Sequence, residues 1–339
     1  MDASTLLRLN RRSFLTQASA VGVAGLLGIT PNARAEPPPE TTTIRLDLFD
    51  VSCIAPQFVA EAMLKAEGFT DVQYIRFEGI EAESDLVGAN KVDMNLYAVG
   101  PLITAVDSGS PVVVLAGVHL GCYELFGTER VRSVRDLKGK TVPIEALRGS
   151  KHVLLSSIAA YVGLDPRTDI NWVVSTSEEA MKMFAAGKVD AFLGFPPEPQ
   201  QLRAKKIGRV IVNTATDKPW SQYFCCMLNA NRSFVQKYPV ATKRAVRAML
   251  KAADLCAREP QRIARLLVDK GFIADYDLAL ETFKEVRYDA WRTYDPADTL
   301  RFHALRLHEV GMIKNTPQEI IAQGTDWRFL NQLKKELKA

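Results

Sequence analysis

Arg148, Gly149, Ser150, Lys151 and His152 stand together where a helix is about to begin. The first turn of a helix presents backbone N–H groups without partners, and its dipole favours an anion and disfavours cations. Three basic side chains at such a place conflict with the dipole unless an anion settles among them. Ser150 is suited to cap the helix by accepting one of those N–H groups. The stretch therefore predicts a pocket for an acidic group, held by Arg148, Ser150 and the N–H groups of Gly149–Lys151. The plain alternative is side chains pointing into solvent, at a cost of a few tenths of a kcal/mol. Glu145 and Glu198 cut against a purely anionic ligand, since either could counter Arg148 or Lys151, or receive an amino group.

Other chemistry is sparse. Cys53, Cys122, Cys225, Cys226 and Cys256 show no CxxC spacing and no paired His, so no metal site is expected. Cys225 and Cys226 are adjacent in an apparent strand and should face opposite sides of it. Small buried hydrophobes are the expected role for most of the five. No Ser/His/Asp cluster falls into one place and no phosphate loop is present, so no catalytic residue and no cofactor is expected.

The elements that position these residues repeat. A strand over Thr141–Glu145 precedes the helix Ser150–Val162, which Gly163 ends. A strand from Asp169, a helix Glu178–Ala186 and a strand introduced by Lys188-Val189-Asp190 follow. The same order occurs earlier: helix Phe58–Glu67, a strand from Asp71, a helix closing at Gly88-Ala89-Asn90, and a strand introduced by Lys91-Val92-Asp93. Such alternation predicts two α/β lobes with largely parallel sheets. Ligands of these sheets sit beyond the carboxyl ends of the strands, here in a cleft between lobes. Strand Ile44–Phe49 leads into a loop reaching Gln57. Strand Val92–Leu96 ends at Tyr97, strand Pro111–Val118 runs on to Tyr123, and strand Val189–Leu193 ends at Gly194-Phe195. Strand Arg209–Asn213 runs on to Trp220. From Asn231 the chain reads as helices: Pro239–Leu255, Pro260–Lys270, Tyr276–Tyr288, Pro296–Val310, Pro317–Gln323 and Asp326–Leu337, with prolines at their starts and glycines at several ends.

The formal charge of the 339 residues is +4, but residues 1–35 hold four of the basic residues and one acidic residue, leaving the remainder nearly neutral. Nucleic acid and anionic membrane surfaces are therefore not expected partners. Asn10-Arg11-Arg12-Ser13-Phe14-Leu15 precedes an apolar run from Ala18 to Ile29 and a small-x-small site at Ala33-Arg34-Ala35. This segment resembles a twin-arginine export signal and is too short for a membrane span. Residues 36–43 read as a stiff, disordered leader.

Together the export signal, the duplicated lobes, Asp136-Leu137-Lys138-Gly139-Lys140-Thr141-Val142, the Arg148-Gly149-Ser150 helix start and the helical tail resemble the solute-binding proteins of ABC importers, nitrate/sulfonate/taurine branch. That branch is similar in turn to the thiamine-pyrimidine synthase fold. The resemblance implies a type II periplasmic binding protein: two α/β lobes with a cleft and hinge, and a helical C-terminal extension. Residues 44–130 and 222–339 would form lobe 1 and residues 131–221 lobe 2, with crossings near Thr128–Lys138 and Asp217–Tyr223. It implies a monomer in the periplasm that captures a small anionic organic solute, such as a sulfonate or carboxylate. The solute would pass to a permease with its ATPase. The family's cleft maps onto Ser52–Cys53, Tyr97–Gly100, Gly121–Cys122–Tyr123, Gly149–Ser150–Lys151 and Gly194–Phe195. The residues themselves add Gln57, Arg148, His152 and Trp220. One rival is an enzyme like the pyrimidine synthases, which use pyridoxal phosphate, a donor His and a Cys-rich iron motif. Phe224-Cys225-Cys226-Met227 matches only a fragment of that motif, and no matching Lys–His pair lies near the first strands. The other rival is a sensor module for a membrane receptor.

Overall fold

The computed structural model describes residues 36–338 except 50 and 79–84. The export signal of residues 1–35 lies outside the described residues. Among the described residues ten strands run in chain order: β1 (Thr43–Leu48), β2 (Asp71–Arg76), β3 (Met94–Ala98), β4 (Val112–Leu120), β5 (Glu124–Gly127), β6 (Lys140–Ile144), β7 (Ile170–Val174), β8 (Ala191–Gly194), β9 (Arg209–Asn213) and β10 (Phe224–Asn231). They fall into two matching sets. In the first, β1 and β2 pair in parallel, and β10 lies antiparallel between β3 and β4. In the second, β6 and β7 pair in parallel, and β5 lies antiparallel between β8 and β9. The sheets are thus mixed rather than largely parallel, because each set receives its central strand from a segment crossing over from the other.

The two Lys-Val-Asp motifs explain how each parallel pair joins its neighbouring sheet. Asp93 N–H donates to Arg45 O (2.9 Å) while its carboxylate accepts Arg45 N–H (2.8 Å). Asp190 N–H donates to Thr141 O (2.9 Å) and its carboxylate accepts Thr141 N–H (2.8 Å). Each Asp bridges backbone groups that would otherwise lose their partners where the strands splay.

The chain changes sets at Gly121–Tyr123 and returns through residues 214–223. The first crossing therefore precedes the expected Thr128–Lys138, because the four-residue β5 already belongs to the second set. The two crossings are bonded side by side. Tyr123 N–H donates to Thr214 Oγ1 (2.8 Å), and the N–H (2.8 Å) and hydroxyl (2.9 Å) of Thr214 donate to Tyr123 O. A Cβ at Gly121 would collide with the Thr214 carbonyl, so only glycine permits this approach.

Twelve helices among the described residues cover the sheets: α1 (Ala55–Ala66), α2 (Val99–Asp107), α3 (Ser150–Tyr161), α4 (Ser177–Ala185), α5 (Glu198–Ala204), α6 (Arg232–Lys237), α7 (Pro239–Arg258), α8 (Pro260–Asp269), α9 (Tyr276–Glu285), α10 (Pro296–Glu309), α11 (Pro317–Gly324) and α12 (Arg328–Glu336). The helical tail follows its local signals. Prolines open α7, α8, α10 and α11, and Asp275, Asp295 and Thr316 accept N–H groups of the first turns they cap. Residues 85–90, expected to close a helix, form turns. The leader is not wholly disordered, since the Glu40 carboxylate accepts the N–H groups of Val240 (2.9 Å) and Ala241 (2.8 Å) at the start of α7. The core gathers Ile44, Leu46, Phe58, Met249, Leu250 and Trp291 between the first sheets and α1 and α7. No helix of the described residues is long and apolar enough to cross a membrane.

Candidate functional site

A cavity of about 600 Å³ opens where the loops after β1, β3, β6, β7 and β8 converge. This is the place that open α/β sheets reserve for ligands. Phe49, Tyr97, Tyr123 and Phe195 give it flat apolar walls, with Tyr123 and Phe195 edge to face at 5.6 Å. Ser150, Ser175, Thr176 and Ser177 supply hydroxyls, and Cys53 and Cys226 lie on the surface formed by the first sheets. Its charged lining residues among the described residues are Glu145 and Glu179.

The cations expected to receive an anion are engaged elsewhere. Lys151 is buried, and its Nζ lies 2.6 Å from Glu145, 3.0 Å from Glu198 and 3.0 Å from Ser177 Oγ. The ammonium also sits over the rings of Phe192 (4.6 Å) and Phe195 (4.9 Å). Burial pulls Lys151 down, but Glu198 and Glu145 outweigh it and hold the ammonium above its usual value. Burial likewise pushes Glu198 up to about 7, against the pull of Lys151. His152 accepts the Arg148 N–H on Nδ1 (3.0 Å) and packs edge-on to Trp172 (4.8 Å). Burial, then Arg148, lowers it to about 4, so the ring is neutral near pH 7. Arg148 is exposed, with φ of 69°, and faces a separate surface pocket beside Asp85 and Tyr97. Gly149, not Ser150, is the N-cap residue of α3. The three basic side chains of that stretch are thus parted. One cation is spent on two acids, one is neutral, and one lies outside the cavity.

The other expected site residues divide. Cys53, Tyr97, Tyr123, Ser150 and Phe195 line the cavity. Gly100, Gly121 and Trp220 back Tyr123 around a small adjoining void. Gly194 ends β8, and Ser52 is buried with its N–H 3.4 Å from Pro196 O. Gln57 lies beneath the cavity rather than in it. Its amide donates to Asp47 Oδ1 (2.6 Å) and Asp47 O (2.8 Å) and accepts Leu96 N–H (2.7 Å), fastening β1 to β3. Burial raises Asp47 to about 6, with Gln57 and Asn95 pulling it down. Cys122 is buried against Cys225, Sγ to Sγ 3.2 Å. Phe49, Thr176, Ser177 and Glu179 were not expected. The run Ser175-Thr176-Ser177 between a strand and a helix start was the available signal, because hydroxyls there either cap the helix or face a ligand. Ser175 Oγ is buried with no hydrogen-bond partner among the described residues, which leaves it available to a ligand. The lining holds flat apolar surface, acceptors and the Cys53 thiol, with His119 behind that thiol.

Residues 37–268 match the NMT1-like family. Among curated relatives, the 4-amino-5-hydroxymethyl-2-methylpyrimidine phosphate synthases THI12 and THI5 of Saccharomyces cerevisiae are 24% identical over 216 residues, 59% of this chain and 62% of theirs. The chain thus spans about three fifths of the length of those relatives. Among solved structures, the periplasmic nitrate-binding protein NrtA from Synechocystis PCC 6803 superposes with a TM-score of 0.74 at 14% identity, covering 89% of this chain and 90% of that one. The alkanesulfonate-binding protein SsuA from Xanthomonas axonopodis pv. citri, bound to MOPS, gives 0.67 at 17% identity over 85% and 99%. The desulfurization enzyme DSZB gives 0.57 at 14% identity over 87% and 99%. The fold is that of periplasmic binding proteins, and it is shared by binders and at least one enzyme.

Proposed function

Because this chain belongs to the NMT1-like family, we propose that it is the periplasmic solute-binding component of an ABC importer, capturing a flat heteroaromatic amine of the aminopyrimidine type. The observation that carries the solute class is the lining of the cavity, whose aromatic walls meet carboxylates while the buried cation behind them is already paired. An exocyclic amine donates to Glu145 and the ring stacks among Phe49, Tyr97, Tyr123 and Phe195. The aminopyrimidine in the names of the yeast relatives has this chemistry. The solute is therefore uncharged or cationic, in place of the anion that the first turn of α3 suggested.

Capture fits the site better than catalysis, because Lys151 Nζ is held by three partners and is not free to form a covalent adduct. The lobes meet at the paired crossings 121–123 and 214–223, which serve as the hinge for closure. Export follows from the paired arginines, so Arg11→Lys with Arg12→Lys leaves the precursor in the cytoplasm. A thermal-shift panel on residues 36–339 tests the solute class. Aminopyrimidines raise Tm, since binding to the native form alone adds about 2.7 kcal/mol at one hundred times Kd. Sulfonates, nitrate and aromatic carboxylates leave Tm unchanged. A rise with a sulfonate or nitrate and none with aminopyrimidines overturns the assignment.

A further inference from the structure

Below the cavity, four of the five cysteines and one histidine share a single buried shell. Cys53 comes from the 3₁₀ turn after β1, His119 from β4, Cys122 from the first crossing, and Cys225 and Cys226 from β10. All five are between 0% and 7% exposed. The donor atoms of Cys53, His119 and Cys122 lie within 4.8 Å of one another, and so do those of His119, Cys225 and Cys226. The Sγ atoms of Cys122 and Cys225 are 3.2 Å apart and those of Cys225 and Cys226 3.9 Å. Sulfurs around a tetrahedral ion at metal–sulfur bonds of about 2.3 Å stand roughly 3.8 Å apart.

The histidine supplies an independent sign. Its Nδ1 lies 2.7 Å from the Leu120 carbonyl. A carbonyl only accepts, so Nδ1 carries the proton and Nε2 presents a lone pair. That Nε2 is buried and, among the described residues, meets only thiols: it interacts with the Cys53 sulfur and makes no other hydrogen bond. A ring fixed by a carbonyl on one nitrogen, with the other aimed at thiols, is the arrangement of a metal-bound imidazole. The edge contact of Tyr288 on the ring (5.5 Å) and its hydroxyl on Cys53 O (3.1 Å) hold both ligands in place. Thiols behaving as small hydrophobes account for the burial of the cysteines but leave His119 Nε2 with only the weak S–H donor of Cys53 against it. A Cys122–Cys225 disulfide leaves that weak contact unchanged.

We propose that His119 Nε2 and three of the sulfurs of Cys53, Cys122, Cys225 and Cys226 bind one thiophilic metal ion. Thiolate and imidazole donors suit zinc, monovalent copper and ferrous iron alike. Each thiol that ligates loses its proton to solvent as the metal–sulfur bond forms. The ion ties together β1, β4, β10 and the first crossing. It lies under the cavity, where Cys53 and Cys226 reach the lining. The site is independent of which solute the cavity takes.

The test uses residues 36–339, reduced and stripped of metal under anaerobic conditions. Cobalt(II) is the probe. One equivalent is expected to give thiolate-to-cobalt charge-transfer bands and the visible bands of a tetrahedral ion. Zinc, monovalent copper and ferrous iron are then competed separately against a chromogenic chelator, which ranks their affinities for the site. Cys122→Ser with Cys225→Ser is expected to weaken binding by more than 100-fold, beyond the about 10–100-fold typical of losing an orienting partner. Cys256→Ala, outside the cluster, leaves binding unchanged. If the double variant does not fold, the wild-type cobalt spectrum decides alone. Absence of those bands, or a disulfide whose reduction restores no metal uptake, overturns the site.

Discussion

The two strand sets are built alike and finished differently. Both staple a parallel pair with an Asp from a Lys-Val-Asp motif, yet the polar networks buried behind their loops have opposite character. In the first set Asp47, Gln57 and Asn95 form a mainly amide network in which the single acid is pushed up to about 6. In the second, Lys151 is clamped between Glu145 and Glu198. The repeat specifies the frame, and the residues just past the strand ends decide what each half offers a solute. The first half gives aromatics and thiols; the second gives acids and hydroxyls.

The largest expected effect breaks the second network. Lys151→Met leaves two carboxylates facing each other in a buried place, and loss of one partner of a buried ion pair costs about 3–5 kcal/mol. Urea unfolding measures this; unchanged stability with lost binding would show instead that Lys151 serves the solute. The next effect is on pH. Burial raises Glu198 from 4.5 to about 7, so the folded chain keeps that proton longer than the unfolded chain. Its stabilisation is full below about pH 4.5 and is lost as pH rises through about 7, by up to about 3 kcal/mol. Glu198→Gln therefore flattens part of the decline expected in Tm between pH 5 and 7. In the first half, Gln57→Leu leaves Asp47 and the Leu96 N–H short of partners. It costs roughly 1–3 kcal/mol and moves the Asp47 titration above its present value of about 6.

The contrast also marks what the sequence displays. Local signals sufficed for the helical tail: α7 was expected over Pro239–Leu255 and spans Pro239–Arg258, because Pro, Gly and capping side chains act within a few residues of themselves. Strand β5 was missed because Glu-Leu-Phe-Gly is too short to show alternation, and only pairing with β8 and β9 makes it a strand. For Lys151 the sequence left two readings open, an anion at the helix start or Glu145 and Glu198 as counter-ions, and it could not show that both acids meet the ammonium. Its partner Glu198 is 47 positions away and reaches it only through the second sheet. The thiol cluster is hidden for the same reason, since its members are separated by up to 173 positions, from Cys53 to Cys226. Contacts between distant segments follow from topology, which spacing within a motif does not reveal.

The central claim is that the second half meets the solute with a carboxylate and not with a cation. Isothermal titration of 4-amino-5-hydroxymethyl-2-methylpyrimidine into wild type, Glu145→Gln and Arg148→Ala tests it most directly. A hydrogen bond to a charged group contributes about 1.5–3 kcal/mol, and 1.4 kcal/mol is tenfold in Kd. Glu145→Gln is predicted to weaken binding roughly ten- to a hundredfold, while Arg148→Ala stays within about threefold. The reverse order, with Arg148 essential and Glu145 dispensable, would contradict the account.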